Sequence, residues 1–98
     1  MSSDQKFTTI TSTGQVKTIS GGSTNLGPAR ITYIQCEGVA SSKLILRDGT
    51  SGSGDKVFEA DFGTEGLDMY IPGNGIRFTT GVHATITATT SVTLGYTG

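Results

Sequence analysis

The chain has 98 residues, enough for one domain and too few for a catalytic domain joined to a separate binding domain. Its seven Lys and Arg are scattered along the chain and its net charge is −1, which gives no electrostatic reason to expect nucleic acid. Charged residues make up only 15% of the chain while Gly numbers 15, so Thr, Ser and Gly must cover the surface.

The single cysteine, Cys36, cannot form a disulfide within the chain. Met1 to Lys6 carries neither a basic n-region nor a hydrophobic h-region, and no run approaches the ~18 apolar residues of a membrane span. The expectation is a soluble product made in the cytoplasm, with no membrane and no nucleic-acid partner.

Residues 1–27 are the least core-like part, with Phe7, Ile10, Val16, Ile19 and Leu26 as widely spaced apolar points. Phe7 to Thr11 and Gln15 to Ile19 have the β-branched content of short strands, separated by a turn at Thr13-Gly14. Two roles fit: edge strands of the same sandwich, or an N-terminal arm that pairs with a neighbouring copy through an exposed sheet edge.

The signal strengthens in residues 28–98, which read as the β-sandwich domain. Ile31 to Cys36 is a strand with apolar residues on both faces, as a central strand requires, and Lys43 to Arg47 follows. Thr50 to Asp55 is a polar, flexible loop, and Lys56 to Phe62 is a strand in which Val57 stands apart from Phe58 and Ala60. In Leu67 to Ile71, alternation places Leu67, Met69 and Ile71 on one face and Asp68 and Tyr70 on the other.

Ile71-Pro72-Gly73-Asn74-Gly75-Ile76 is the best-marked turn, because Pro presets the first corner and Gly and Asn tolerate positive φ. It reads as a hairpin joining Leu67–Ile71 to Ile76–Phe78. Val82, Ala84, Ile86 and Ala88 then alternate with His83, Thr85, Thr87 and Thr89, and Val92 to Tyr96 closes the chain in the same manner. The fold expected is all-β: an antiparallel β-sandwich, jelly-roll-like, of about eight short strands.

Catalytic chemistry has little to work with. His83 is the sole histidine, so any Ser-His-Asp or Cys-His site must use it, and a zinc site needs more Cys and His than the chain holds. Asp48, Asp55, Asp61 and Glu65 flank glycine-rich turns, but their spacing matches no EF-hand, and Asp in a turn ordinarily caps its own backbone. The expectation is therefore no enzyme, no catalytic residue, no cofactor and no metal. Tyr70 is the best candidate for an exposed aromatic.

Pro28-Ala29-Arg30, Leu44 to Gly49, Ile71 to Phe78 and Val92 to Tyr96 together resemble small β-sandwich virion components of tailed bacteriophages, notably those of marine bacteria and cyanobacteria. The resemblance spans about Pro28 to Tyr96 and rests on turn motifs, so it carries over no catalytic residue. It implies a virion structural protein made in the host cytoplasm, foremost a capsid decoration or cement protein that bridges capsid subunits as a homo-oligomer, a trimer first. Its partners would be the major capsid protein or other virion proteins. The interface residues expected are Phe7, Ile10, Val16, Ile19, Leu26 and Tyr70. The alternatives are a head–tail connector or tail component, and a carbohydrate- or receptor-binding module using the loops at Asp48 to Asp55 and near Tyr70.

Overall fold

A computed structural model describes residues 5–88 and 91–97. Met1 to Asp4 of the N-terminal segment and Thr89 of the alternating strand lie outside the described residues. Among the described residues nine strands are formed: β1 (Lys6–Ile10), β2 (Gly14–Gln15), β3 (Ala29–Cys36), β4 (Lys43–Asp48), β5 (Asp55–Asp61), β6 (Leu67–Tyr70), β7 (Ile76–Phe78), β8 (Val82–Thr87) and β9 (Val92–Thr97). A 3-10 turn, Gly63–Glu65, precedes β6.

The strands form two antiparallel sheets. The first has the order β1-β9-β3-β6, with β7 also on β3, and the second has the order β2-β8-β4-β5. Apart from the β4–β5 hairpin and the β6–β7 step, each connection passes from one sheet to the other. Counting β6 and β7 as one interrupted strand, this is the eight-stranded jelly-roll order.

The core lies between the sheets. Ile31, Ile34, Leu94 and Phe78 from the first sheet meet Leu44, Leu46, Val82 and Ala84 from the second, all at most 1% exposed. Burying each large aliphatic or aromatic side chain contributes roughly 1.5–3 kcal/mol. Cys36 is buried on the same inner face, and desolvation pushes its thiol up to about 11.

The turn at Pro72-Gly73-Asn74-Gly75 does not make a hairpin. β6 pairs with the end of β3 (Tyr33↔Tyr70, Cys36↔Leu67) and β7 with its start (Ala29↔Phe78, Ile31↔Ile76), so both run in the same direction along one neighbour. The four residues are an outward excursion that interrupts a single edge strand. Its rims are fastened by Ile71 N, which donates to Thr32 O at 2.9 Å, and by Gly75, whose Cα lies so near β3 that a Cβ would stand 2.5 Å from Ile31 O. Turn chemistry fixed the corner, while the long central strand chose the pairing.

Thr32 is irregular on its other side as well. The β3–β9 register shifts between Ile31 and Tyr33, a bulge that puts Ile31 and Ile34, three apart, on the same inner face. The apolar residues apparently on both faces of this strand are thus largely one inward set carried across the bulge. A second bulge on β5 leaves Val57 without a counterpart on β4 and sets Phe58 and Ala60 inward. That bulge, together with Lys56, Glu59 and Asp61, blunts a free edge against strand addition.

Residues 5–27 are built into the sandwich. β1 is the edge of the first sheet on β9, and β2 the edge of the second on β8. Val16 is 0% and Leu26 4% exposed, joined by Val16 N to Val82 O and Leu26 N to Val16 O, so this segment closes one end of the core. The second strand is shorter than the expected Gln15 to Ile19, because after Gln15 the chain turns back on itself through the Lys17↔Asn25 bridge. Likewise β8 ends at Thr87, and Ala88, expected to continue the alternation, takes a φ of 63°.

Candidate binding face

The outer face of the first sheet carries an aromatic row. Register places Phe7 opposite Gly95, Gly95 opposite Tyr33, and Tyr33 opposite Tyr70, so the row crosses β1, β9, β3 and β6. On β1 Phe7 faces outward, 55% exposed, while Thr8 is buried with its Oγ1 lacking a partner among the described residues. Phe7 and Tyr33 meet edge to face, with ring centroids 6.1 Å apart and planes at 75°. Gly95 makes this possible, since a Cβ there would lie 2.9 Å from Phe7 Cε2 and 3.0 Å from Tyr33 Cβ. The Tyr33 hydroxyl donates to Asp68 Oδ1 at 2.5 Å, and that bond raises the phenol above its ordinary value.

Beside this row lies a basic one. Arg30 on β3 stands opposite Thr97 of β9 and Arg77 of β7. Neither arginine has a salt bridge among the described residues. Between the two rows opens a cleft of about 270 Å³ lined by Gln5, Arg30, Thr32, Tyr70, Asn74 and Thr97. Tyr70, 69% exposed, forms its aromatic wall. The Pro-Gly-Asn-Gly excursion brings Asn74 to it, and Gln5 donates to the Thr32 hydroxyl.

A second, more apolar groove of about 430 Å³ lies at the edge of the same sheet, lined by Phe7, Ile19, Leu26, Pro28 and Tyr96 among others. Ile19 is 64% exposed there. The Tyr96 hydroxyl donates to Thr18 O at 2.6 Å and so fixes the segment that presents Ile19.

The six expected interface residues therefore divide. Phe7 and Ile19 are exposed and share the apolar groove; Leu26 lines that groove from below but is a core residue. Val16 is wholly internal and offers no contact surface in this fold, while Ile10 packs partly buried against the core and outside that groove. Tyr70 belongs to the polar cleft. Sequence reasoning missed its neighbours Arg30, Asn74 and Gln5, whose one local signal was the excursion that carries Asn74.

The groups tested for chemistry are dispersed. Cys36 is inside the first sheet and His83 on the outer face of the second, level with Gln15 and Arg47. In that row Gln15 Oε1, Arg47 Nε and His83 Nδ1 have no partner among the described residues, and the loop at Gly52 lies over His83. Asp48 caps the chain entering β8: its carboxylate accepts from Thr79 N at 2.9 Å, Thr79 Oγ1 at 2.8 Å and Thr80 N at 2.9 Å. Those donors, Thr79 N foremost, hold it down at about 2. Among the described residues no group of three His, Cys, Asp or Glu is placed to hold a metal ion. In comparisons with known proteins, no protein family, no curated protein and no solved structure matches this chain.

Proposed function

We propose that this chain is a structural component of a tailed-phage virion, a decoration or cement protein that sits on the head as an oligomer, a trimer first, and bridges capsid subunits. The observation that carries the reading is the exposed pair Phe7 and Ile19 converging on one apolar groove at the sheet edge. The jelly-roll order supports it as an analogy, being shared by viral capsid and lectin domains. The turn motifs from Pro28 to Tyr96 point the same way.

Such a protein works without chemistry. Each copy buries surface across neighbouring capsid subunits, about 1,600 Å² for a standard interface, so head expansion or internal pressure must break those contacts too. Removing residues 1–26 is not a clean probe of attachment, because Val16 and Leu26 would leave the core with them. The sharper probe is Phe7→Ser with Ile19→Ser, which alters exposed side chains only.

Heads purified from cells making the wild-type chain should carry it in fixed proportion to the capsid protein, with added density at subunit junctions by cryo-electron microscopy. The double variant should melt near the wild-type temperature and be missing from the heads. Wild-type protein absent from purified particles, or double-variant protein at full occupancy, overturns the reading. A ring at the neck instead of density over the shell would replace it with the head–tail connector alternative.

A further inference from the structure

The polar cleft beside Tyr70 has features that folding alone does not repay. Arg30 and Arg77 face each other across β3 and β7, and like charges directly opposite destabilise an antiparallel pair. No salt bridge among the described residues neutralises either one. Asp68, the acidic residue on the same face, sits opposite Gln35 and is engaged by the Tyr33 hydroxyl. On the outer face of the second sheet Arg47 also stands opposite a like charge, Lys56, but there Lys56 and Lys43 share Glu59 at 2.9 and 2.8 Å.

An unneutralised guanidinium is matched by a carboxylate, which it can bind through two parallel hydrogen bonds. The rest of the cleft calls for more than a bare anion. Gln5, Asn74 and Thr97 offer amide and hydroxyl groups suited to sugar hydroxyls, and the exposed Tyr70 ring offers a flat apolar wall for the C–H face of a pyranose. A volume of about 270 Å³ takes one small ring and not an extended ligand. Nucleic acid fits poorly, since Lys43, Arg47 and Lys56 lie on the opposite sheet and the net charge is −1.

We infer that this cleft binds a carboxylate-bearing pyranose, a uronic- or sialic-acid residue of an acidic glycan, with Arg30 on the carboxylate, Tyr70 against the ring, and Gln5, Asn74 and Thr97 on the hydroxyls. Arg77 adds positive potential from the neighbouring strand. The site is independent of the apolar groove and of any capsid partner, and gives the chain a sugar-recognition activity of its own.

The test is a proton–nitrogen NMR titration of the full chain with glucuronic acid, N-acetylneuraminic acid, glucose, sodium sulfate and a short oligothymidylate. Saturable shifts confined to the backbone around Gln5, Arg30, Thr32, Tyr70, Asn74 and Thr97 are expected with at least one acidic sugar. Affinity should be on the order of millimolar for a single ring, and at least about tenfold weaker for glucose. Arg30→Gln and Tyr70→Ala should each weaken binding about tenfold, Arg30→Gln with a melting temperature no lower than wild type, while Lys56→Gln on the other sheet binds as wild type. Arg30→Lys, which keeps the charge and loses the fork, should recover only part of the affinity. No saturable shift with either acid, equal binding of glucose, the same shifts and affinity with sulfate alone, or tighter binding of the oligothymidylate would each overturn the inference.

Discussion

The outer faces of the two sheets cover one shared core yet handle charge in different ways. On the second sheet Lys43 and Lys56 share Glu59, and Arg47 donates to Gly54 O at 3.3 Å. On the first sheet the charges are sparse, Arg30 and Arg77 have no salt bridge among the described residues, and an aromatic row runs alongside them. A face that pairs its lysines through one carboxylate, with Arg47 held only by a backbone carbonyl, makes the weaker case for a ligand. One that leaves arginines and large rings uncompensated is where a ligand or protein partner is to be sought, because exposed apolar and unneutralised groups together are uncommon on a surface with no binding role.

The sharpest way to break this difference is at the excursion that shapes the first face. Gly75 has a φ of 78°, and a Cβ there would stand 2.5 Å from Ile31 O and 3.0 Å from Thr32 Cγ2. Gly75→Ala therefore combines a left-handed backbone with a backbone clash and should cost about 3 kcal/mol, the upper end for a strained position. Urea unfolding monitored by tyrosine fluorescence checks the figure. The same variant should lose the cleft, since β7 must leave β3 and Asn74 moves with it. A loss below about 0.5 kcal/mol would mean that the close approach of the excursion to β3 is wrong.

On the second sheet the corresponding fastening is polar. Asp48 at the end of β4 ties down the chain at Thr79 to Gly81 as it arrives from the first sheet. Asp48→Ala strands three backbone donors, of which those of Thr79 and Thr80 are open to water, so the expected cost is about 1 kcal/mol. The folded carboxyl titrates at about 2, below its unfolded value near 4. Its contribution is thus fully present above about pH 4 and disappears as pH falls through 2. The stability difference between wild type and Asp48→Ala, followed by urea unfolding from pH 6 to pH 2, should shrink over that window. A difference that stays constant would show that the carboxylate's charge is irrelevant to the cap.

The sequence made the all-β class legible because glycine-bearing turns separate runs with period-two alternation, clearest in Val82, Ala84 and Ile86. What alternation does not encode is which distant strand a run meets. Pro72 to Gly75 looks like a hairpin because local chemistry sets the corner, whereas the partner is β3, eight residues long and able to take β6 and β7 end to end. The bulge at Thr32 was hidden for a related reason: it appears only when β9 is laid against β3. Val16 and Leu26 look isolated along the chain and become core residues only once the two sheets close over them. At the binding face, alternation exposes Tyr70, but its pairing with Arg30 and Gln5 depends on three strands meeting and has no local signature.

The smallest expected effect is on the ion-paired face itself. Glu59 accepts from Lys43 and Lys56, and the Lys43 bond is the chief cause that lowers its carboxyl to about 2. Its stabilisation exists above the unfolded glutamate value and is lost as pH falls toward 2. Being exposed, the pair is screened by water and salt, so Glu59→Gln should change the melting temperature only slightly, and by less at 0.5 M sodium chloride than at low salt. Removing this carboxylate also takes from Lys43 and Lys56 their shared partner, leaving Asp61 opposite Lys43 and none of their ion pairs, which brings the second face nearer to the first. Were Glu59→Gln to acquire acidic-sugar binding on that face, unpaired cations alone would suffice for it, and the contribution assigned to Tyr70 and the amides would fall. Binding confined to the Arg30 cleft in both proteins separates a shaped site from bare charge.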